Sequence, residues 1–304
     1  MTSNAWMQTP AGGYFENWKF HVTSNVEAIF NPNMMWAVLH KEIACLMITT
    51  FVVAAVSAWY ILKNRHSKFF LISFKMAVAA AVVIIPLQIY LGDGSGRNVF
   101  KHQPTKLAAM EAHWQTNEPD EGAPWHILAW PYPAEQKNLV SIDIPYGLSL
   151  ITTRKPTGVV PDLREFSKEL HPPIWLPFYG FRIMLAVGFA AFLLMLYTLW
   201  AWRKGRLRHD RIGTQRKLLT AWIIMAPLTY LAMEAGWVVR EVGRQPWIIY
   251  GLLRTAEGAS RIQAGMVGSS LLGFLAVYSV LFLLFVFFAV YILKEGPKFD
   301  PPHE

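Results

Sequence analysis

The sequence predicts an all-α integral membrane protein with five transmembrane helices and a long outward loop between the second and third. Three observations carry this. Of the 304 residues, 54% are hydrophobic and only 16% are charged, where a soluble domain has about a quarter charged. Five runs reach the roughly 20 apolar residues that a helix needs to cross a bilayer. The basic residues crowd into two short connections between those runs. So much apolar surface excludes a disordered chain. The single cysteine excludes an intrachain disulfide framework and a Cys-only metal cluster.

Residues 1–32 are polar, lack the apolar core of a signal peptide, and read as an outward N-terminal tail. Span A (33–62) follows Asn31-Pro32, with proline suited to a first helical turn, and Ile43–Leu62 carries no charge. Span B (69–91) has one charge, Lys75, near its inner end, where a lysine can snorkel to water. Residues 92–173 form the long loop, with Trp114, Trp125, Trp130, Tyr132 and Tyr146. Loops of that length are functional or disordered, although an aromatic belt at the membrane surface is the plainer reading. Span C (174–202) contains Arg182 and span D (218–240) contains Glu234. An outward loop, 241–263, precedes the charge-free span E (264–293), whose small residues at Ala264–Gly273 suggest close helix packing. The chain then ends in a cytoplasmic C-terminus. Pro86 and Pro227 are expected to kink their helices.

Orientation follows from the connections. Lys63–Lys68 has three basic residues and no acid, and Arg203–Lys217 has seven and one. Their three and six net charges together exceed the +8 of the whole chain. Both connections are therefore assigned to the cytoplasm. The basic balance is a topology signal and not a sign of nucleic-acid binding.

Ionisable groups within spanning helices are costly and mark function. At about 1.5 Å per residue, His40, Arg182 with Met184, and Glu234 all fall in the outer half of the bilayer. That shared depth suits a buried cofactor, because a His/Met pair gives a six-coordinate, low-spin, electron-transferring haem iron. Arg182 and Met184 lie about 200° apart around one helix. If Met184 faces an iron, Arg182 points elsewhere, toward a propionate or a neighbouring carboxylate. Tyr230, Glu234 and Trp237 share one helix stripe. The glutamate there fits a proton carrier, an arginine partner or a haem ligand equally well. A cofactor-free transporter or channel lined by Arg182 and Glu234 is the alternative from another class.

The segments NAWMQTP (4–10), VLHKEIA and SAWY (within 38–60), LGDGSG (91–96), TKLAAMEAHW (105–114), IPYGLSLI (144–151), FRIM (181–184), MEAGW (233–237) and GRQPW (243–247) span nearly the whole chain. Through them the sequence resembles subunit I of the cytochrome bd-type quinol oxidases of bacterial and archaeal cell membranes. The resemblance implies that His40 and Met184 are the axial ligands of a low-spin haem b, and that Glu234 ligates a high-spin haem b. It implies that Arg182 supports the low-spin haem, that Lys106 and Glu111 act in quinol oxidation within an outer quinol loop, and that Arg244 meets a propionate. Trp237 is counted with the cofactor-binding residues. Oxidase subunit II, quinol and membrane lipid are the implied partners.

The family's subunit begins with four further helices, which hold the histidine ligand of haem d. The chain therefore resembles the C-terminal half and is expected to need a polypeptide supplying those helices. A non-catalytic remnant or assembly partner is the competing reading. Only His40 falls at membrane depth. His21, His102, His113, His126, His171 and His303 lie in outer or terminal segments, and His66 and His209 in cytoplasmic connections.

Overall fold

A computed structural model describes residues 1–297 other than Trp18 and His66. His66, His303 and the end of the C-terminal segment lie outside the described residues. The chain opens with α1 (Thr2–Gln8), a hairpin of β1 (Gly13–Glu16) and β2 (Lys19–Val22), and α2 (Asn25–Ile29). Ser24 caps α2, its hydroxyl accepting from the backbone of Glu27 in a capping-box spacing. The N-terminal tail is thus ordered structure, with Ala5 and Gln8 buried.

Five helices are long and apolar enough to cross a membrane. The first two are α3 (Met34–Leu62) and α4 (Ser67–His102). Then come α5 (Pro104–Glu111), an antiparallel hairpin of β3 (Trp125–Tyr132) and β4 (Lys137–Ile144), and α6 (Gly147–Thr153). The next two spanning helices are α7 (Trp175–Arg203) and α8 (Arg216–Val242). A short hairpin, β5 (Trp247–Ile249) with β6 (Leu253–Arg254), precedes α9 (Ala264–Glu295), the fifth. The segment between spans B and C is therefore folded over much of its length. Pro86 and Pro227 both lie inside continuous helices.

Met1–Gly258 form one compact unit, and α9 belongs to a second. In the first unit α3 packs against α4 and α8, α7 against α8, and α4 against α7, giving a four-helix bundle. Toward the middle and one end its core is aromatic. Phe51 of α3 stacks on Trp222 of α8 with centroids 4.7 Å apart, and Phe74 of α4 meets the same indole edge-on at 5.7 Å. The buried Trp222 Nε1 donates to Thr198 Oγ1 of α7 at 3.0 Å, so the indole loses no hydrogen bond on burial. In the second unit, a Cβ on Gly265, Gly268 or Gly273 would meet nothing within 4 Å.

The clearest difference from the sequence reading is the length of α4, which runs eleven residues past the expected end at 91 to His102. Glycines in LGDGSG read locally as helix breakers. Here they permit close approach to α3: a Cβ on Gly94 would lie inside the Trp36 ring, and one on Gly92 would sit 3.3 Å from His40 Cε1. Gly94→Ala is therefore expected to destabilise the protein by about 1–3 kcal/mol through overpacking. Gly96→Ala, where a Cβ meets nothing within 4 Å, should be neutral or mildly stabilising. Thermal denaturation of the solubilised protein checks the pair, and equal midpoints would refute the close-approach argument.

Candidate functional site

The bundle end opposite the aromatic core carries the polar residues. His40 lies six residues inside α3, about 9 Å from its start. Gln88 of α4 is its neighbour, Nε2 to Nε2 at 3.4 Å. An amide nitrogen can only donate, so His40 Nε2 accepts and Nδ1 carries the proton. Nδ1 is nevertheless buried without a partner, as is Gln88 Oε1. Unpaired polar atoms in a protein interior call for an explanation such as a bound group.

Met184 of α7 faces α8, where its Sδ would be 3.4 Å from a Cβ on Gly236 of the MEAGW segment. Glycine there lets the thioether approach the α8 backbone. Glu234, two residues earlier, is exposed on α8 beside the exposed Tyr230, while Trp237 is half-buried. The expected stripe of Tyr230, Glu234 and Trp237 is thus a side of α8 that the rest of this unit leaves largely open.

Arg182 is the buried charge on the other side of α7. Its Nη2 donates to Glu111 Oε2 at 2.7 Å, and both side chains are under a tenth exposed. The guanidinium lies over the rings of Phe178, Phe181 and Trp125 at 4.6, 5.4 and 5.7 Å, where its positive charge meets their π faces. Burial pushes the Glu111 carboxyl up from its ordinary value, and the opposing pull of Arg182 does not overcome it. Assigned by the sequence to an outer loop, Glu111 stands in direct contact with Arg182, one of the membrane-depth groups.

That contact exists because α5 is a buried hub. Every residue from Thr105 to Glu111 is buried. Ala108, Ala109 and Ala112 pack with Ile174 and Phe178 at the start of α7. On another face Leu107 and Met110 pack with Leu148 and with Val239 of α8. The alanines keep α5 slim enough to fit between these neighbours, which brings its last residue onto Arg182.

Lys106 and Glu111 do not meet a common neighbour. Five residues along a helix turn a side chain by about 140°, and Lys106 points toward α1 and α8. Its Nζ donates to Gln8 Oε1 at 3.1 Å and to the Arg240 carbonyl at 3.0 Å. Burial, reinforced by Arg240 and Arg244, holds this ammonium well below the ordinary lysine range, although Glu241 opposes the shift. Around it Asn4 Nδ2 donates to Glu241 Oε1 at 2.7 Å, Arg240 Nε donates to Asn4 Oδ1, and Arg244 Nη2 donates to Glu241 Oε2 at 2.6 Å. Arg244 thus pairs directly with Glu241, and Asn4 links that carboxylate to Arg240.

Several guanidinium nitrogens are buried without a partner: Nε and Nη1 of Arg182, Nη2 of Arg240, and Nε and Nη1 of Arg244. Buried donor nitrogens without an acceptor are costly. Carboxylates of a bound group, such as haem propionates, would satisfy them, and His40 and Met184 offer one soft and one imidazole ligand to iron. The residues present fit a haem. Among the described residues no three His, Cys, Asp or Glu side chains gather as a site for a bare metal ion.

The sequence reading missed Asn4, Gln8, Gln88, Arg240 and Glu241 as site residues. Gln88 had a signal, being a lone amide in an apolar run. Asn4 and Gln8 had none locally, since their partners lie more than ninety positions away.

Comparison with known proteins bears on the chain as a whole. The family model described as cytochrome bd terminal oxidase subunit I matches residues 1–297. The chain is 31% identical to the cytochrome bd ubiquinol oxidase subunit 1 of Bacillus subtilis (strain 168), covering all of this chain and 66% of that one. It is 28% identical to the cytochrome bd-II ubiquinol oxidase subunit 1 of Escherichia coli (strain K12), covering 99% of this chain and 70% of that one. The solved bd oxidase from Geobacillus thermodenitrificans superposes with a TM-score of 0.85 at 29% identity, over 97% of this chain and 66% of the matched chain. The chain thus spans about two thirds of the length of these relatives.

Proposed function

The chain belongs to the cytochrome bd terminal oxidase subunit I family, and from that membership we propose that it works in a respiratory quinol:oxygen oxidoreductase of the cell membrane. The observation that carries the reading is the 2.7 Å pair between Glu111 and Arg182. It joins the α5 segment assigned to quinol with the helix that bears Met184, two residues along.

In this reading quinol docks at α5 on the outer face. Glu111 accepts a proton from a quinol hydroxyl, which is general-base work. Burial makes the carboxylate a stronger base than a solvent-exposed one, and Arg182 keeps it oriented. Lys106, held by Gln8 and the Arg240 carbonyl, shapes the other end of the quinol segment. Released protons leave on the outer side, and the protons that form water come from the cytoplasm. A charge difference then arises from chemistry on opposite sides without a pump.

His40 and Met184 would hold the low-spin haem b and Glu234 the high-spin haem b, with Arg182 and Arg244 available to carboxylates and Trp237 beside them. Bound haem would supply one-electron acceptance and transfer. Among the described histidines, His40 is the one set within the apolar length of a spanning helix, whereas His102 ends α4. Oxidase subunit II is the proposed partner, as the relatives are named subunit 1 of such oxidases.

The test uses the assembled oxidase. Glu111→Gln is expected to lower quinol turnover by about 10²-fold or more, with haem absorption retained and oxygen still consumed from an artificial donor that reduces the haems directly. An equal loss with the artificial donor would sink the quinol role. Absence of any haem Soret band from the purified wild-type complex would sink the oxidase reading itself.

A further inference from the structure

The β3–β4 hairpin turns its apolar side chains outward. Antiparallel pairing sets opposite residues on the same face, and the register places His126 opposite Asp143, Ala129 opposite Ser141 and Pro131 opposite Asn138. This face is the one held to the protein. His126, Ala129 and Pro131 are buried, and His126 Nδ1 lies 2.6 Å from Asp143 Oδ1. Asn138 Oδ1 accepts from Trp114 Nε1 at 2.9 Å, and its Nδ2 donates to the Ala112 carbonyl at 3.1 Å. Tyr179 Oη of α7 donates to the Ala129 carbonyl at 3.0 Å. The pairing shifts twice, once on each strand. A bulge sets two residues against one on the partner strand. Ile127 and Leu128 thus lie against Ile142, and Leu139 and Val140 against Trp130. All six are exposed, by 39–70%. A hairpin with one face in water shows the reverse pattern, apolar side chains inside and polar ones outside.

We propose that this apolar face of the hairpin lies on the lipid surface of the membrane, in the headgroup layer beside the start of α7. Exposed apolar patches mark protein or membrane contacts, and the surroundings of this one favour lipid. Trp130 meets Trp175, the first residue of α7, edge-on with ring centroids 5.2 Å apart, and Trp175 stacks on Tyr179 at 5.7 Å. The 29 residues of α7 make a helix about 44 Å long. That exceeds the hydrocarbon core of roughly 30 Å and matches the thickness of about 40–45 Å that includes the headgroups. The first turn of α7 therefore stands at headgroup level, where Trp and Tyr gather, and the hairpin touches it there. From that turn onward α7 exposes Leu176 and Ile183, so the apolar surface of a spanning helix begins where the hairpin meets it. None of the six outward residues is charged. Asp143 lies on the other face, and Lys137 Nζ meets Glu135 Oε2 at 2.6 Å near the turn. The backbone limits the depth. A two-stranded hairpin has two open edges whose N–H and C=O groups need partners, and hydrocarbon supplies none. The hairpin therefore rests in the interface and does not enter the core. Seated in this way, it fixes the long segment between α4 and α7 to the bilayer, independently of the roles given above to Lys106 and Glu111.

The experiment is site-directed spin labelling of the assembled oxidase in bilayer discs of phosphatidylethanolamine and phosphatidylglycerol. Cys45, the single cysteine of the chain, is replaced by alanine. Val140→Cys, Leu128→Cys and Ser141→Cys then each supply one labelled position, with the parent lacking the new cysteine as background. Power saturation compares relaxation by dioxygen, which concentrates in lipid, with relaxation by a neutral nickel chelate, which stays in water. Dioxygen is expected to dominate at positions 140 and 128, and the nickel chelate at 141 on the opposite face. Haem absorption and quinol oxidation at the parent level report that each variant is assembled. Dominance of the nickel chelate at 140 and 128 overturns the proposal, because the face then stands in water. Weak relaxation by both agents overturns it as well, because a protein surface then covers the face. A dioxygen response at 141 equal to that at 140 does the same, because the hairpin then has no lipid side. Positions 128 and 140 lie on different strands, so a variant that fails to assemble at one leaves the other to decide.

Discussion

Replacing His40 by alanine is expected to remove the low-spin haem signal from the assembled oxidase and to reduce quinol oxidation to background. His40 lies about 9 Å inside α3, and Met184 about 14 Å inside α7. The His40 Nδ1 is buried with no partner, and the Met184 thioether sits against a glycine on α8. In the proposed site His40 Nε2 and the Met184 thioether would be the two ligands of the iron. Met184→Leu should act differently from His40→Ala. It leaves one axial position open, so a shift toward a high-spin spectrum is expected while the haem is retained. Reduced-minus-oxidised absorption and electron paramagnetic resonance read the two outcomes apart. A normal low-spin spectrum in the His40 variant would end this assignment.

Arg182→Leu should have the second largest effect, this time on stability as well as turnover. It strips the partner from a buried carboxylate, a change that costs about 3–5 kcal/mol in proteins. The loss should depend on pH, with a definite sign. Arg182 pulls the Glu111 carboxyl down against burial, so without it the folded-state value rises further above the unfolded one. A group raised in the folded state contributes stability that is present at low pH and lost as pH rises through the folded value. The variant should therefore be least impaired in mild acid and worst at alkaline pH. Arg182→Leu combined with Glu111→Gln removes both charges and should recover most of the stability but none of the quinol turnover. Thermal denaturation across pH and quinol oxidation assays check these together. A single variant as stable as the wild type at pH 8 would show that the pair does not hold α5 to α7.

The membrane architecture was legible in the sequence because it depends on runs. A span needs about 20 consecutive apolar residues, so the spans are read without any knowledge of packing. The candidates His40, Arg182, Met184 and Glu234 were legible for a related reason: each departs from an apolar background, or forms a ligand type, at a depth that helix rise converts from residue number. The quoted segments then placed the chain in its family, and the match over residues 1–297 agrees.

What only the tertiary structure decided are the contacts between positions far apart. Glu111 and Arg182 are separated by 71 positions, and Lys106 and the Arg240 carbonyl by 134. No local pattern encodes such pairs, because they follow from where α5 is wedged between helices. The eleven extra residues of α4 turned on packing too. Taken alone, Gly92 and Gly94 lower helix propensity; against the His40 and Trp36 rings, the missing Cβ is what lets the helix continue. His126 and Asp143 became a pair through the register of a hairpin, since antiparallel pairing sets opposite residues side by side. Hydropathy and charge, summed along the chain, determined what crosses the membrane, whereas side chains brought together by packing decided which of the buried charges face one another.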